Sequence, residues 1–278
     1  MDSTNPELKV HIIPIGPEED RAVLPVARLR GQKAYLVVEK NPHGNLKCFK
    51  ERIAERLQKE AGLRREDIIL NEYYGDWNDF SGIVSKFAEI VMREQDAGNK
   101  VLINISSGSK FASIAGTLVA LMYGAEAYYV EAEEYVRLER KAPDTRGMKD
   151  VISIPGYRID KPDPRWIYAL SILKEYSGGI KQRALAEHLI DAEKRIRSAK
   201  AGRTPLLRGT EENDPKKKLS EPALNNILRR DYLAPMEAHG LIEQRGQRRG
   251  AVIYITKEGK AALDMFIGGN WYYQRSER

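Results

Sequence analysis

Residues 101–110 read Val-Leu-Ile-Asn-Ile-Ser-Ser-Gly-Ser-Lys and begin the stretch that decides the fold. The apolar run at 101–105 is typical of a buried parallel strand, and the small polar residues after it mark where the strand leaves its sheet. A helix is predicted from about Phe111 to Tyr123, with small residues where it lies close on the sheet. A polar turn that begins a helix presents unpaired backbone N–H groups and the positive end of the helix dipole, so Ser106–Lys110 is predicted to bind a phosphorylated ligand.

Strands and helices are predicted to alternate around this stretch. The predicted strands are Lys9–Ile15, Ala34–Val38, Ile68–Tyr73, 101–105, Ala125–Val130 and, last, Val151–Ile154. The predicted helices among the first four strands are Glu18–Arg30, Leu46–Ala61 and a helix that begins at the caps Asp76–Asp79 and ends near Gln95. This order indicates an α/β fold with a doubly wound parallel sheet and right-handed crossovers. Ligands of such sheets bind beyond the carboxyl ends of the strands, where the 106–110 turn is expected.

Two domains are predicted, because 278 residues exceed the usual size of one compact domain. The first is expected at 1–155 and the second at 165–278. The segment 156–164 contains proline among charged residues, which is typical of a linker. Residues 194–218 are strongly charged and interrupted by glycine and proline, which predicts an exposed, mobile insertion.

The composition argues against several classes of protein. The single cysteine, Cys48, excludes an internal disulfide and a multi-cysteine zinc site. The four histidines have no paired spacing, so neither a metal nor a cofactor is predicted. The N-terminus lacks a signal pattern and no apolar run is long enough to cross a membrane, which predicts a cytoplasmic protein without a membrane partner.

Positive charge is concentrated in the second half of the chain. Residues 161–278 contain 23 Lys and Arg against 15 Asp and Glu, a net charge of about +8. The remainder has 23 basic and 25 acidic residues, a net charge of about −2. This asymmetry indicates that the second half binds a polyanion.

The order of elements in the second half resembles that of a winged helix-turn-helix. Helices are predicted at Arg165–Tyr176, Lys181–Ala192 and Ser220–His239, followed by a basic turn at 245–250, a strand at Ala251–Thr256 and a helix at Lys257–Met265. The stretch Leu233–Thr256 is similar to the ending of many bacterial and archaeal winged-helix regulators. Pro235 predicts a break within the third helix.

This resemblance implies that the third helix enters the major groove of double-stranded DNA and that the wing contacts the backbone or the minor groove. It places Ser220, Asn225, Asn226, Arg229 and Arg230 on or near the third helix, and Arg245, Gln247, Arg248 and Arg249 on the wing. Lys181 is expected as a further DNA contact. Arg and Asn can read guanine and adenine edges, and wing arginines neutralise phosphates. The alternative is a winged helix that serves dimerisation or protein contact, against which the basic wing argues.

Two common nucleotide-binding motifs are missing from the first half: the Gly-x-Gly-x-x-Gly of NAD enzymes and the P-loop of NTPases. Instead, Asn104–Lys110 resembles Asn-Ile/Leu-Thr-Gly-Gly-Thr-Lys/Arg, the signature of the CARF domain (CRISPR-associated Rossmann fold). The chain departs from it by serine at both threonine positions and by Ser107 at the first glycine. With the winged helix included, the chain is similar to the CARF transcription regulators of CRISPR loci, which serve antiviral defence.

The resemblance implies a homodimer that binds cyclic oligoadenylate, expected as the ring of four, across its two-fold axis. A ring with an even number of identical units shares that symmetry, so each protomer would bind half a ring with the same residues. By the motif match these residues are Asn104, Ser106, Ser107, Gly108, Ser109 and Lys110, with Gly16, Pro17, Glu18 and Arg21 after the first strand. Asp76 and Trp77 are further candidates, since an indole can stack on adenine; alternatively they begin a helix.

The sequence therefore predicts a homodimeric DNA-binding regulator whose DNA binding is altered by a cyclic nucleotide. One alternative is a CARF ring nuclease, in which Ser106, Ser109 and Lys110 would assist attack by a ribose hydroxyl; no residue is assigned as catalytic. Another is a ligand-independent regulator whose first domain only dimerises, the turn being a plain helix cap.

Overall fold

The computed structural model describes residues 6–39, 46–74, 79–136, 145–157, 159–199, 206–207, 220–246 and 251–266. The chain divides into two compact units, Met1–Lys161 and Pro162–Arg278. The division falls within the segment 156–164.

The first unit is a mixed α/β structure with a largely parallel six-stranded sheet. In chain order its strands are β1 (Lys9–Pro14), β2 (Lys33–Glu39), β3 (Ile68–Tyr74), β4 (Lys100–Asn104), β5 (Glu126–Glu131), β6 (Glu134–Tyr135), β7 (Thr145–Arg146) and β8 (Asp150–Ser153). The strand order is β3-β2-β1-β4-β5-β8, and β6 and β7 pair with each other outside this sheet. The central strands are apolar and buried on both faces, which is why they appear in the sequence as continuous apolar runs.

The last strand of the sheet corrects the prediction of a wholly parallel sheet. β8 runs antiparallel to β5, with Tyr128 opposite Ser153 and Glu131 opposite Asp150. A parallel neighbour requires a crossover connection, usually a helix, that carries the chain back along the sheet. In the described part of the connection between β5 and β8 the chain forms the β6–β7 ribbon instead, so it returns in the opposite direction.

In the described part of the first unit, four helices cover the sheet, two on each face. They are α1 (Glu19–Arg28), α2 (Leu46–Glu60), α3 (Phe80–Asp96) and α4 (Lys110–Tyr123). α1 packs with α2, and α3 packs with α4, as a doubly wound fold requires. The small residues of α4 do lie on the sheet: Ala112 and Ala115 are buried, and a Cβ added to Gly116 would lie 2.9 Å from Ile103 Cγ2.

The second unit consists of helices and a small antiparallel sheet. Its elements are α5 (Pro164–Lys174), β9 (Ile180–Lys181), α6 (Gln182–Ala199), α7 (Glu221–Leu228), a π-helical turn at Arg229–Leu233, α8 (Ala234–Ala238), β10 (Ile242–Arg245), β11 (Val252–Ile255) and α9 (Lys257–Phe266). The sheet order is β10-β11-β9. α6 continues to Ala199, beyond the predicted end at Ala192, so the expected insertion does not begin at 194. Leu206 and Leu207, which lie within that expected insertion, are buried.

The predicted third helix is interrupted before Pro235 rather than at it. Proline has no N–H, so it cannot bond the carbonyl of Asp231 four residues earlier. The chain widens into the π-helical turn there, and the indole Nε1 of Trp166 donates to the Asp231 carbonyl at 2.8 Å. Trp166 therefore supplies the donor that Pro235 lacks.

Candidate functional site

The turn Ser106–Lys110, here called the switch-point turn, follows β4 where the sheet topology reverses. β1 and β4 are neighbours, but β1 leads to β2 on one side and β4 leads to β5 on the other. Ligands of such sheets bind at this point. The loops after the two strands meet here, since a Cβ added to Gly16 would lie 2.5 Å from the backbone nitrogen of Gly108. Gly108 has a φ of +80°, and a Cβ there would lie 2.7 Å from Cβ of Pro14, so the turn requires glycine at 108.

The side chain of Asn104 fixes the backbone at the start of the turn. Its side chain is fully buried and donates to the carbonyl of Arg21 at 2.8 Å, while its Oδ1 accepts from the backbone N–H of Ser106 at 2.8 Å. Asn104 matches the asparagine of the sequence motif, but both polar atoms of its side chain are used to hold α1 and the switch-point turn together. A ligand above the turn would therefore depend on Asn104 for the shape of the site.

The hydroxyls of Ser106 and Ser107 also form hydrogen bonds within the protein. The Ser106 hydroxyl accepts from the N–H of Val130 at 2.5 Å, and the Ser107 hydroxyl donates to the carbonyl of Pro14 at 2.7 Å. Both residues are buried. Ser107, which stands where the CARF signature has glycine, thus connects the ends of β4 and β1.

Ser109 and Lys110 form the outer end of the switch-point turn. Ser109 caps α4, because its hydroxyl accepts from the N–H of Ala112 at 3.1 Å. Lys110 is exposed at the first position of the helix. The arrangement can bind an anion with a flexible cation beside the positive end of the α4 dipole.

The loop after β1 and the first turn of α1 bring a carboxylate and a guanidinium to the site. Pro17 and Glu18 are half-buried, and Oε2 of Glu18 lies against Gly16. Arg21 is buried: its Nε donates to the carbonyl of Val130 at 2.9 Å, and its guanidinium lies 4.8 Å from the ring centre of Tyr129. The sequence predicts Arg21 as a ligand contact. In the structure its guanidinium is buried against Val130 and Tyr129 rather than exposed to solvent.

Tyr129 and Tyr135 were not among the predicted site residues. Tyr129 belongs to β5 and Tyr135 to β6, and their hydroxyl oxygens are 3.4 Å apart. The only signal in the sequence was that Tyr129 lies near the carboxyl end of the strand that follows the motif, and Tyr135 lies just beyond that end. That signal is weak, because tyrosine is common in strands for packing reasons.

A buried polar chain continues beneath the site. Nδ1 of His11 lies 2.9 Å from the Tyr128 hydroxyl, which also interacts with the Asn104 side chain. Nε2 of His11 has no hydrogen-bond partner among the described residues. Burial lowers the pKa of His11 to about 3 and raises the pKa of Tyr128, so both groups are neutral at pH 7.

The predicted DNA contacts of the second unit are partly brought together. Asn226, Arg229 and Arg230 are exposed at helical spacing, and we call them the basic helix face. Ser220 is the exposed N-cap residue of α7. Asn225 is half-buried and accepts from the side chain of Gln182 at 3.4 Å.

Two of the predicted DNA contacts, Lys181 and Arg245, have structural surroundings that the sequence did not predict. Lys181 lies on β9, not on the following helix, because Ile180 and Lys181 pair with β11. Arg245, at the end of β10, forms an ion pair with Glu243 and lies 4.8 Å from the ring centre of Tyr254. Asp76, Trp77, Gln247, Arg248 and Arg249 lie outside the described residues and stay predictions.

Within the described ranges, no group of His, Cys, Asp and Glu is arranged to hold a metal ion. Across the same ranges, no helix combines the length and apolarity needed to span a bilayer.

Comparison with known proteins gives one family match and several distant structural likenesses. The family model described as HFX_2341_N:-like, N-terminal, matches residues 9–135, which is somewhat less than half of the chain. No curated protein matches the sequence.

The similar solved structures share little sequence with this chain. Csm6 of Enterococcus italicus, bound to cyclic hexa-2′-fluoro-hexa-dAMP, has a TM-score of 0.40 and 13% identity, over 67% of this chain and 50% of that protein. Can2 of Sulfobacillus thermosulfidooxidans, in complex with cyclic tetra-adenylate, has a TM-score of 0.36 and 14% identity, over 95% and 64%. Protein VC1899 of Vibrio cholerae has a TM-score of 0.36 and 15% identity, over 95% and 65%. The chain spans between half and two thirds of the length of these proteins.

Proposed function

We propose that this protein is a homodimeric DNA-binding regulator that senses a cyclic oligoadenylate at the switch-point turn. The observation that carries the proposal is the turn itself, which joins a capped helix N-terminus, an exposed lysine and the meeting point of two strand-end loops. The resemblance of Asn104–Lys110 to the CARF signature supports this choice of ligand. We propose the ring of four as the ligand and a role in CRISPR-linked defence on the same resemblance.

The chemistry of the turn suits a nucleotide rather than a bare phosphate. Lys110 and the first turn of α4 favour a phosphate group. The carboxylate of Glu18 would repel a phosphate but can accept a hydrogen bond from a ribose hydroxyl or an adenine amine. The buried hydroxyls of Ser106 and Ser107 hold the shape of the turn, so the ligand would meet its backbone and its outer end.

An apolar stripe on α4 supports the dimer. Phe111 and Ile114 are exposed, Ile114 by 51%, and Leu118 continues the stripe one turn further as a half-buried residue. Exposed large apolar side chains grouped on one helix face are typical of an interaction surface. The stripe begins beside Lys110, so a second copy packed on it would bring two switch-point turns close to one axis, as a symmetric ring requires.

The second unit is proposed to be a winged helix-turn-helix that binds duplex DNA. Its order of α5, β9, α6, α7, a β10–β11 hairpin and α9 agrees with that fold. The basic helix face would enter the major groove, where Asn can pair with adenine and Arg with guanine.

The connection between ligand and DNA binding is proposed to run through α4. Its first turn belongs to the ligand site. Near its other end, the carbonyl of Leu121 accepts from the N–H of Ile159 at 3.2 Å, and Nζ of Lys161 lies 4.1 Å from the ring centre of Tyr123. A shift of α4 on ligand binding would therefore act on the segment that leads into the second unit.

Calorimetry with cyclic tri-, tetra- and hexa-adenylate tests the ligand site. Lys110→Ala should weaken binding by roughly tenfold, the lower range of a charge-assisted contact, and leave DNA binding without ligand unchanged. Lys59→Ala, an exposed lysine of α2, is the matched control. Equal affinity of the wild type and Lys110→Ala would contradict the site assignment, and no binding of any ring to the wild type would contradict the proposed ligand.

A further inference from the structure

We propose that Tyr135, held by Tyr129, stacks on a nucleobase of the ligand at the switch-point turn. This inference rests on the proposed function, and it adds the group that recognises the base where the turn recognises a phosphate. Among the described residues, Tyr135 is one of the most exposed large aromatic side chains, with 68% of its surface accessible.

The position of Tyr129 is set by the residues that build the turn. Its chain neighbour Val130 donates its N–H to the Ser106 hydroxyl at 2.5 Å and accepts from Nε of Arg21 at 2.9 Å. On the other side, the carbonyl of Tyr128 accepts from the N–H of Ile105 at 3.0 Å. The backbone of β5 around Tyr129 is thus bonded to the switch-point turn, to the residue before that turn and to the first turn of α1.

Tyr129 in turn anchors Tyr135. The guanidinium of Arg21 lies over the Tyr129 ring, and the hydroxyl of Tyr129 is 3.4 Å from that of Tyr135. Tyr135 is also fixed by its backbone, since β6 pairs with β7 and Tyr135 lies opposite Thr145. A ring whose backbone and hydroxyl are both placed loses little further conformational entropy when a base stacks on it.

A nucleobase is the occupant that this arrangement suits. A phosphate can bond only to the hydroxyl of an exposed tyrosine, whereas every nucleobase has a flat π-face that stacks on its ring. Arg21 keeps positive charge beside the two tyrosines, which favours a base that is attached to a nearby phosphate. Tyr157 is exposed by 79% but has no aromatic partner or cation within the described contacts, so it serves as a comparison.

The test uses the full chain and titrates each variant with cyclic tetra-adenylate and cyclic hexa-adenylate in the calorimeter. Tyr135→Ala should weaken binding of the ring that the wild type binds by at least tenfold. Tyr135→Phe keeps the ring and should stay within about threefold of the wild type, and Tyr157→Ala should bind like the wild type. The adenine absorbance should decrease on binding to the wild type and to Tyr135→Phe, but much less with Tyr135→Ala.

The outcomes separate this inference from the proposed function. If the wild type binds a ring and Tyr135→Ala binds it equally well, the stacking role is overturned while the ligand assignment stands. If Tyr135→Phe loses as much affinity as Tyr135→Ala, the hydroxyl and not the ring is used, which also overturns it. If the wild type binds neither ring, the proposed ligand fails and this inference fails with it.

Discussion

The switch-point turn and the basic helix face are both polar, but their side chains are used in opposite ways. Around the turn, Asn104 and Ser107 are buried and hydrogen-bonded within the protein. On the helix face, Asn226 and Arg229 are exposed. The first region is a surface of fixed shape that rests on buried polar groups, and the second offers its side chains directly to a partner. Substitution of the buried residues should therefore cost stability in the first region, and substitution of the exposed residues should cost DNA affinity in the second.

A pair of asparagines tests this difference most strongly. Asn104→Ala leaves the carbonyl of Arg21 and the N–H of Ser106 without their buried partner, and should lower the free energy of unfolding by about 3 kcal/mol or more. Asn226→Ala removes an exposed side chain and should change it by about 0.5 kcal/mol at most. Urea unfolding followed by circular dichroism measures both. Similar values for the two variants would refute the assigned difference.

The stability of the buried region should also depend on pH. The pKa of His11 is lowered to about 3 by burial, with a smaller contribution from Lys9, whereas an unfolded chain has the ordinary value of 6.5. The unfolded state binds the proton more tightly, so this contribution to stability is fully present above pH 6.5 and is lost as the pH falls toward 3. Between pH 6.5 and 4 the loss should be about 3 kcal/mol.

His11→Leu removes this titration, and its unfolding free energy should fall less steeply with decreasing pH than that of the wild type. Parallel pH profiles for His11→Leu and the wild type would show that His11 does not titrate as described.

On the basic helix face, Arg229→Ala should weaken DNA binding by roughly tenfold, the loss of one base or phosphate contact. Stability should be unchanged because the residue is exposed. The measurement is fluorescence anisotropy with a labelled duplex that the wild type selects from a randomised pool. Arg65→Ala, an exposed arginine of the first unit, should bind that duplex normally. Normal binding by Arg229→Ala would remove this face from the DNA interface.

The smallest effect is expected at Lys161, in the connection proposed between the two regions. Lys161→Ala removes the contact with the Tyr123 ring and should reduce the change in DNA affinity caused by the ligand by about threefold, the worth of an exposed cation–π contact. Affinity for each ligand alone should stay the same. Titrating the duplex with and without cyclic oligoadenylate measures this coupling; an unchanged coupling would mean that this contact does not transmit it.

The sequence by itself determined the order of the six strands of the main sheet and of the helices α1 to α4. Apolar runs and 3.6-residue periodicity are local signals, so the strands and helices of the sheet were predicted to within a few residues. Glycine and the cap residue Ser109 marked the turn after β4 for the same reason. The asymmetry of charge between the halves is likewise a property of composition.

Only the tertiary structure decided what the polar residues do. Asn104 bonds to Arg21, 83 residues away, and Ser107 to Pro14, 93 residues away, so no local pattern could assign them to internal bonds. The direction of β8 depends on its pairing with β5, and the π-helical turn on a tryptophan 65 residues earlier. Tyr129 and Tyr135 are on different strands, and the path of the chain between them brings their hydroxyl oxygens to 3.4 Å. Hydrogen bonds and burial between distant segments are set by packing, and packing is what a sequence pattern does not contain.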